Sequence, residues 1–225
     1  SSLHKITTIN RTYMNHKTST INQVPVLLLT GYLGSGKTTL IKMINGLLTP
    51  SSGELSINGN PVGPESKKIV SYLPDHTYLN MNQRVRDIIA FFKDFYADFD
   101  EARAYDMLQK LNINPDDRLK TMSKGTKEKV QLILVMSRKA RLYILDEPTS
   151  GLDPLMQKEF YSLLEERNAE GATVFLSSHV LSEIGKYCKH AAVIREGRIL
   201  AADSVERLGH TGVKRVVLRG ADELP

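Results

Sequence analysis

A single cysteine, Cys188, stands among the 225 residues, so no internal disulfide can form and no cysteine cluster can hold a metal. No stretch approaches the roughly 18 continuous apolar residues of a membrane-spanning helix. The longest apolar runs, VPVLLLTG and VQLILVM, are short and broken. The N-terminus lacks the charged, apolar and small-residue succession of a secretory signal, so the cytosol is the expected compartment. Internal repeats and low-complexity segments are absent too. Charge of one sign is also scarce: 30 Lys and Arg against 25 Asp and Glu give a formal +5, too mild to indicate a nucleic-acid partner. What remains is an ordinary globular balance, 41% hydrophobic and 24% charged, in a chain near the upper size of one domain. A single domain over residues 1–225 is expected.

The N-terminal twenty residues support an edge strand in LHKITTI and then a loose segment. VPVLLLT is a short continuous apolar run bounded by Gly31, the pattern of a strand buried on both faces of a parallel sheet. TTLIKMINGLL follows with helical spacing and stops at TPSSG. ELSING reads as a short strand ending in an Asn-Gly turn, and IVSYLP as a strand closed by proline. VRDIIAFFKDFY and DEARAYDMLQKL then give two helices with no strand between them, and Ser123 caps a third in KGTKEKVQLILVMSRKA. Together these predict a helical arm over about residues 76–135. From RLYILD onward helix and strand alternate: PLMQKEFYSLLEERNA, ATVFLSS, VLSEIGKYC, AAVIRE and the hairpin-like REGRILAA. The predicted fold is α/β, a mainly parallel sheet with crossover helices, a helical subdomain and a small antiparallel edge.

Gly31-Tyr-Leu-Gly-Ser-Gly-Lys-Thr38 fits G-x-x-x-x-G-K-[ST], directly after a predicted strand and opening a helix. Gly31, Leu33, Gly34, Ser35, Gly36 and Thr39 belong to a loop whose backbone N–H groups can cradle phosphates. Lys37 would reach the β and γ phosphates, and the Thr38 hydroxyl would ligate Mg²⁺. Mg²⁺ beside phosphates needs a hard oxygen ligand, and a neighbouring strand should supply it. LYILD ends in Asp146, followed by Glu147. Asp146 would hold the metal, and Glu147, one step further, would be free to polarise an attacking water as general base. Alone, an apolar strand ending in Asp-Glu is equally a solvated strand end; beside the loop it gains weight.

Between these motifs lies Met122-Ser-Lys-Gly-Thr-Lys-Glu-Lys129, which alone reads as a capped helix with a basic solvated face. It resembles the signature of the ATP-binding-cassette family, usually Leu-Ser-Gly-Gly-Gln. Ser123 precedes Asp146 by 23 residues, about that family's spacing. Ser150-Gly-Leu-Asp153 resembles the family's dimer-contacting loop, and Ser177-Ser-His179 its switch histidine. The four motifs stand in family order from Gly31 to Gly197. The resemblance implies ATP and Mg²⁺ as cofactors and two such domains closing on two nucleotides. Ser123 and Gly125 of one copy would then face the γ phosphate on the other, with Asp153 at the shared interface. His179 would contact the γ phosphate and the water, placed at a strand end where sheet ligands gather.

Three departures accompany the resemblance. Where the family commonly has a glutamine after a strand like IVSYLP, this chain has Pro74-Asp75-His76; Asp75 is a candidate metal contact and His76 a surface residue. Met122, Lys124 and Thr126 replace usual signature residues, most like the subgroup reading Ser-Lys-Gly, typically paired with separate membrane subunits and often exporting. The adenine-stacking aromatic would have to be Tyr13. The expected function is an ATP-hydrolysing transporter subunit, peripheral on the cytoplasmic face of the cell membrane. Its partners would be a second nucleotide-binding domain and integral membrane subunits, with no direct nucleic acid. A soluble family member acting on the ribosome or DNA shares every motif, but such proteins usually fuse two cassettes or carry long insertions, for which 225 residues leave no room. The loop also resembles that of GTP-dependent metal chaperones, yet no Asn-Lys-x-Asp segment or cysteine pair accompanies it.

Overall fold

Alternation with both faces covered organises the sheet. The computed structural model describes residues 26–30, 36–180 and 185–210. Within β5 (Leu142–Asp146), Tyr143 and Leu145 join one buried cluster and Ile144 another; within β6 (Thr173–Ser177), Val174 and Leu176 face the first cluster and Phe175 the second. Successive side chains of a strand point to opposite faces, so an all-apolar run is what a sheet layered on both sides requires. The six-stranded sheet runs β4-β5-β6-β1-β7-β8, with β1 at Val26–Thr30, β4 at Val70–Leu73, β7 at His190–Arg195 and β8 at Arg198–Ser204. All neighbours are parallel except β7 and β8, which pair antiparallel at the edge.

One face is covered by α1 (Lys37–Ile44), whose Ile41 is fully buried against Ile144, Phe175 and Ile194. The opposite face carries α3 (Val85–Phe95), α4 (Glu101–Lys110), α5 (Lys124–Met136) and α6 (Pro154–Ala169). In α3, Val85, Ile88, Ile89 and Phe92 form an i, i+3, i+4, i+7 stripe into this core. The second half of α5, Val130–Met136, is buried all round. Of these, α3, α4 and all but the last residue of α5 fall within residues 76–135. Asp100 caps α4 by accepting from the Arg103 amide at 3.0 Å, and Asp153 caps α6 by accepting from Met156 N at 2.9 Å, with Pro154 at the first helical position.

Several expectations need amendment. The helix over TTLIKMINGLL stops at Ile44: Gly46 takes φ +66° just past the end, and Leu47 and Leu48 are left exposed. The antiparallel part is in two pieces, β8 at the sheet edge and a separate ribbon of β2 (Ser56–Ile57) and β3 (Asn60–Pro61) around an Asn58-Gly59 turn with both φ positive. The short α2 (Pro64–Lys68) and α7 (Val205–His210) were not legible as helices. The strand expected in LHKITTI lies outside the described residues, as do residues 181–184 of the helix expected in VLSEIGKYC, whose residues 185–187 are helical.

The arm is tied to the sheet by Arg138, just after α5. Its guanidinium, 3% exposed, donates Nε to Asp98 Oδ1 at 2.9 Å and Nη2 to Asp98 Oδ2 at 3.0 Å. It also donates to the Lys68 carbonyl at 2.8 Å and to the Val70 carbonyl, while stacking 3.8 Å over Tyr96. Removing one partner of such a buried pair leaves the rest unpaired. Arg138→Ala is therefore expected to lower unfolding free energy by about 3 kcal/mol, read from urea denaturation.

Candidate nucleotide-phosphate site

The loop opening α1 brings Gly36 to φ +94°, a left-handed conformation that disfavours a side chain. A Cβ there would also stand 3.0 Å from the Gly197 Cα in the turn between β7 and β8. Lys37 and Thr38 start the helix, with Thr38 and Thr39 exposed. Gly31, Leu33, Gly34 and Ser35, together with Tyr13, lie outside the described residues.

Strand register brings the carboxylates here. Asp146 ends β5 opposite Ser177 of β6. Ser177 Oγ donates to Asp146 Oδ1 at 2.5 Å and accepts from the Glu147 amide at 3.0 Å, so one hydroxyl holds both acidic residues. Ser177 was quoted in its motif but given no role, because nothing in a one-dimensional pattern says which strand ends face each other. Asp146 Oδ2 is buried and has no hydrogen-bond partner.

Glu147 is not free. Lys37 Nζ binds its Oε1 at 3.0 Å, and His179 Nδ1 meets its Oε2 at 2.8 Å. Glu147 sits at φ +49°, the turn that swings its side chain away from the strand direction toward both partners. Lys37 and Glu147 are largely shielded, at 11% and 22% exposure, so this ion pair is stronger than a surface one. The structure thus unites Lys37, Asp146, Glu147 and His179 with Ser177, four of them picked from the sequence.

Burial raises the Asp146 carboxyl above the ordinary carboxylate range; the Ser177 bond opposes the rise, and Asp75 and Glu147 add to it. Asp75 therefore lies close enough to repel Asp146; it also pairs at 3.6 Å with His76, which is exposed as expected. Tyr72, near the end of β4, is pushed up to about 12, first by burial and then by Asp146 and Asp75. A buried, orphaned carboxylate oxygen with further carboxylate charge near it is chemically suited to a divalent cation.

The remaining described residues stand at the starts of α5 and α6. Ser123 caps α5, its Oγ accepting from Thr126 N at 3.1 Å and lying 2.8 Å from Thr126 Oγ1, and Gly125 follows in the first turn. Asp153 pairs with Lys129 Nζ at 3.4 Å.

The sheet and this cluster define a phosphate-loop α/β nucleotide-binding protein. The family model described as ABC transporter matches residues 14–150, more than half of the chain, and the chain belongs to that family. It is 30% identical over 197 residues to the uncharacterized ABC transporter ATP-binding protein all4389 of Nostoc sp., covering 84% of this chain and 59% of the relative. It is 28% identical over 207 residues to the linearmycin resistance ATP-binding protein LnrL of Bacillus subtilis, covering 87% and 67%. The chain thus spans about three fifths to two thirds of these relatives' length. A solved ATP binding subunit of an ABC transporter superposes with TM-score 0.77 at 30% identity, covering 84% of both chains. The metal-chaperone rival is set aside by this membership.

The raised Asp146 carboxyl has a consequence for stability. Folding holds the proton to higher pH than the unfolded chain does, so this residue's contribution worsens as pH rises through the carboxylate range and improves on acidification. Asp146→Asn removes that penalty and keeps an oxygen for Ser177. At neutral pH without nucleotide or Mg²⁺ the variant should melt about 2–4 °C higher by calorimetry, and Mg²⁺ with ATP should stabilise it less than the parent protein.

Proposed function

We propose that the chain is the ATP-hydrolysing domain of a membrane transporter, with the helices of about residues 76–135 acting as its helical subdomain. The observation that carries this reading is the convergence of Lys37, Glu147 and His179 beside the Ser177-held Asp146. Lys37 leaves Glu147 for the incoming β and γ phosphates, which offer more negative charge than one carboxylate. Release of Oε1 makes Glu147 available as general base, while His179, still at Oε2, orients it toward the γ phosphate. Glu147 then takes a proton from water as the water oxygen forms its bond to the γ phosphorus and the bond to the β-bridging oxygen breaks, leaving ADP and phosphate. Asp146 and Thr38 would hold Mg²⁺, which when bound neutralises charge on the β and γ oxygens. Asp75, whose charge acts on Asp146, would complete that ligand set through water.

Closure supplies the work. Ser123 and Gly125 at the tip of α5 grip the γ phosphate on a second copy of the domain, and Asp153 lies at the same interface. Membrane subunits dock on the helical arm from the cytoplasmic face and turn closure into alternating access. Phe91, Phe95 and Tyr78, all more than half exposed, support docking there. Among the described residues no helix is long and apolar enough to cross a membrane. The Ser-Lys-Gly signature and the similarity to a protein named for linearmycin resistance favour export.

Glu147→Gln should cut phosphate release by about 10²- to 10⁴-fold and accumulate dimers with Mg-ATP in light scattering; near-normal turnover would remove Glu147 as the base. Ser123→Arg should abolish ATP-driven dimers while calorimetry still finds nucleotide bound to the monomer. Lost binding would contradict the cross-subunit role.

A further inference from the structure

A side chain at Gly151, in the Ser150–Asp153 loop, would meet the carboxylate of Glu128. There φ is +79°, and a Cβ would stand 2.2 Å from Glu128 Oε2 and 2.9 Å from its Cδ. Glu128 lies on the second turn of α5. Its Oε1 is 3.8 Å from Lys124 Nζ, one turn earlier, whereas Oε2 is buried without a hydrogen-bond partner. A carboxylate oxygen shut away from water without a donor is costly, so something must hold it against the glycine. Neighbouring contacts run the same way. A Cβ at Gly125 would lie 3.8 Å from the Gly151 carbonyl oxygen, and Lys129 pairs with Asp153. Farther along the helix, Gln131 Nε2 donates to the Pro74 carbonyl at 3.5 Å, beside Asp75.

We propose that Glu128 is a positioning residue: its carboxylate, lodged on the Gly151 backbone, sets the Ser150–Asp153 loop against α5. The Ser123 tip and this loop then meet a second copy as one rigid surface. The assignment rests on the two-domain closure proposed above. Glu128 works through its contact with the Gly151 backbone, which the glycine's left-handed φ and missing side chain favour. Lys124 and Lys129 flank it in sequence and fix the two sides of the contact, one by orienting the carboxylate and one by anchoring the far end of the loop.

The test uses Glu147→Gln protein in Mg-ATP, with dimerisation followed by analytical ultracentrifugation. Adding Glu128→Ala should weaken dimerisation about tenfold or more while Mg-ADP affinity of the monomer, measured by calorimetry, and Tm are maintained. Gly151→Ala carries its own backbone strain at φ +79°, so the double variant Glu128→Ala with Gly151→Ala should stay weaker than Glu128→Ala yet lose less than the two single losses combined. If Glu128→Ala dimerises as tightly as its parent, or the two losses simply add, the positioning role is overturned and closure stands. If Glu147→Gln itself remains monomeric in Mg-ATP, closure is wrong and the role of Glu128 falls with it.

Discussion

Parallel pairing of β5 with β6 places Asp146 directly across from Ser177, and the site depends on that register. A slip by one residue would turn every side chain of the strand to the other face. Asp146 would then lose its hydroxyl donor, and the Glu147 amide its acceptor. The register is held by the two-sided core, because Tyr143 and Leu145 fit one cluster and Ile144 the other. Packing many residues from the chemistry therefore decides where two carboxylates stand.

Charge balance is the second constraint. The cluster combines three carboxylates, Asp75, Asp146 and Glu147, with Lys37 and His179. Glu147 takes both basic partners for itself, and Asp146, more deeply buried, is left with a neutral hydroxyl and a raised carboxyl. Such an unequal division suits a site built to receive cationic metal and anionic phosphate together, since each newcomer relieves one of the two imbalances.

The third element is α5. Its capped tip carries Ser123, its middle turns touch Gly151, Asp153 and Pro74, and its buried second half runs into Arg138, which grips Asp98 and the carbonyls leading into β4. A helix hydrophobic all round in one half and polar in the other can be anchored at one end while presenting chemistry at the other. It joins α3 and α4 to the carboxyl ends of the sheet.

Most strands and helices were readable because periodicity and punctuation act locally: Pro154 after Asp153 starts α6, Asn58-Gly59 turns the small ribbon, and continuous apolar runs mark strands covered on both faces. Helix ends were less so, as Gly46 shows, since its left-handed φ follows the end of α1 at Ile44, four residues before the apolar pattern stops at Leu48. Among site residues, spacing and chemistry made Lys37, Thr38, Asp146 and Glu147 candidates, and the family resemblance of their motifs added Ser123 and His179. Only the tertiary structure decided that Ser177 holds Asp146, that Glu147 is bound at both oxygens, and that Glu128 rests on Gly151. Those contacts join positions 23 to 110 residues apart, and distance across a sheet is set by pairing and packing, which no local pattern encodes.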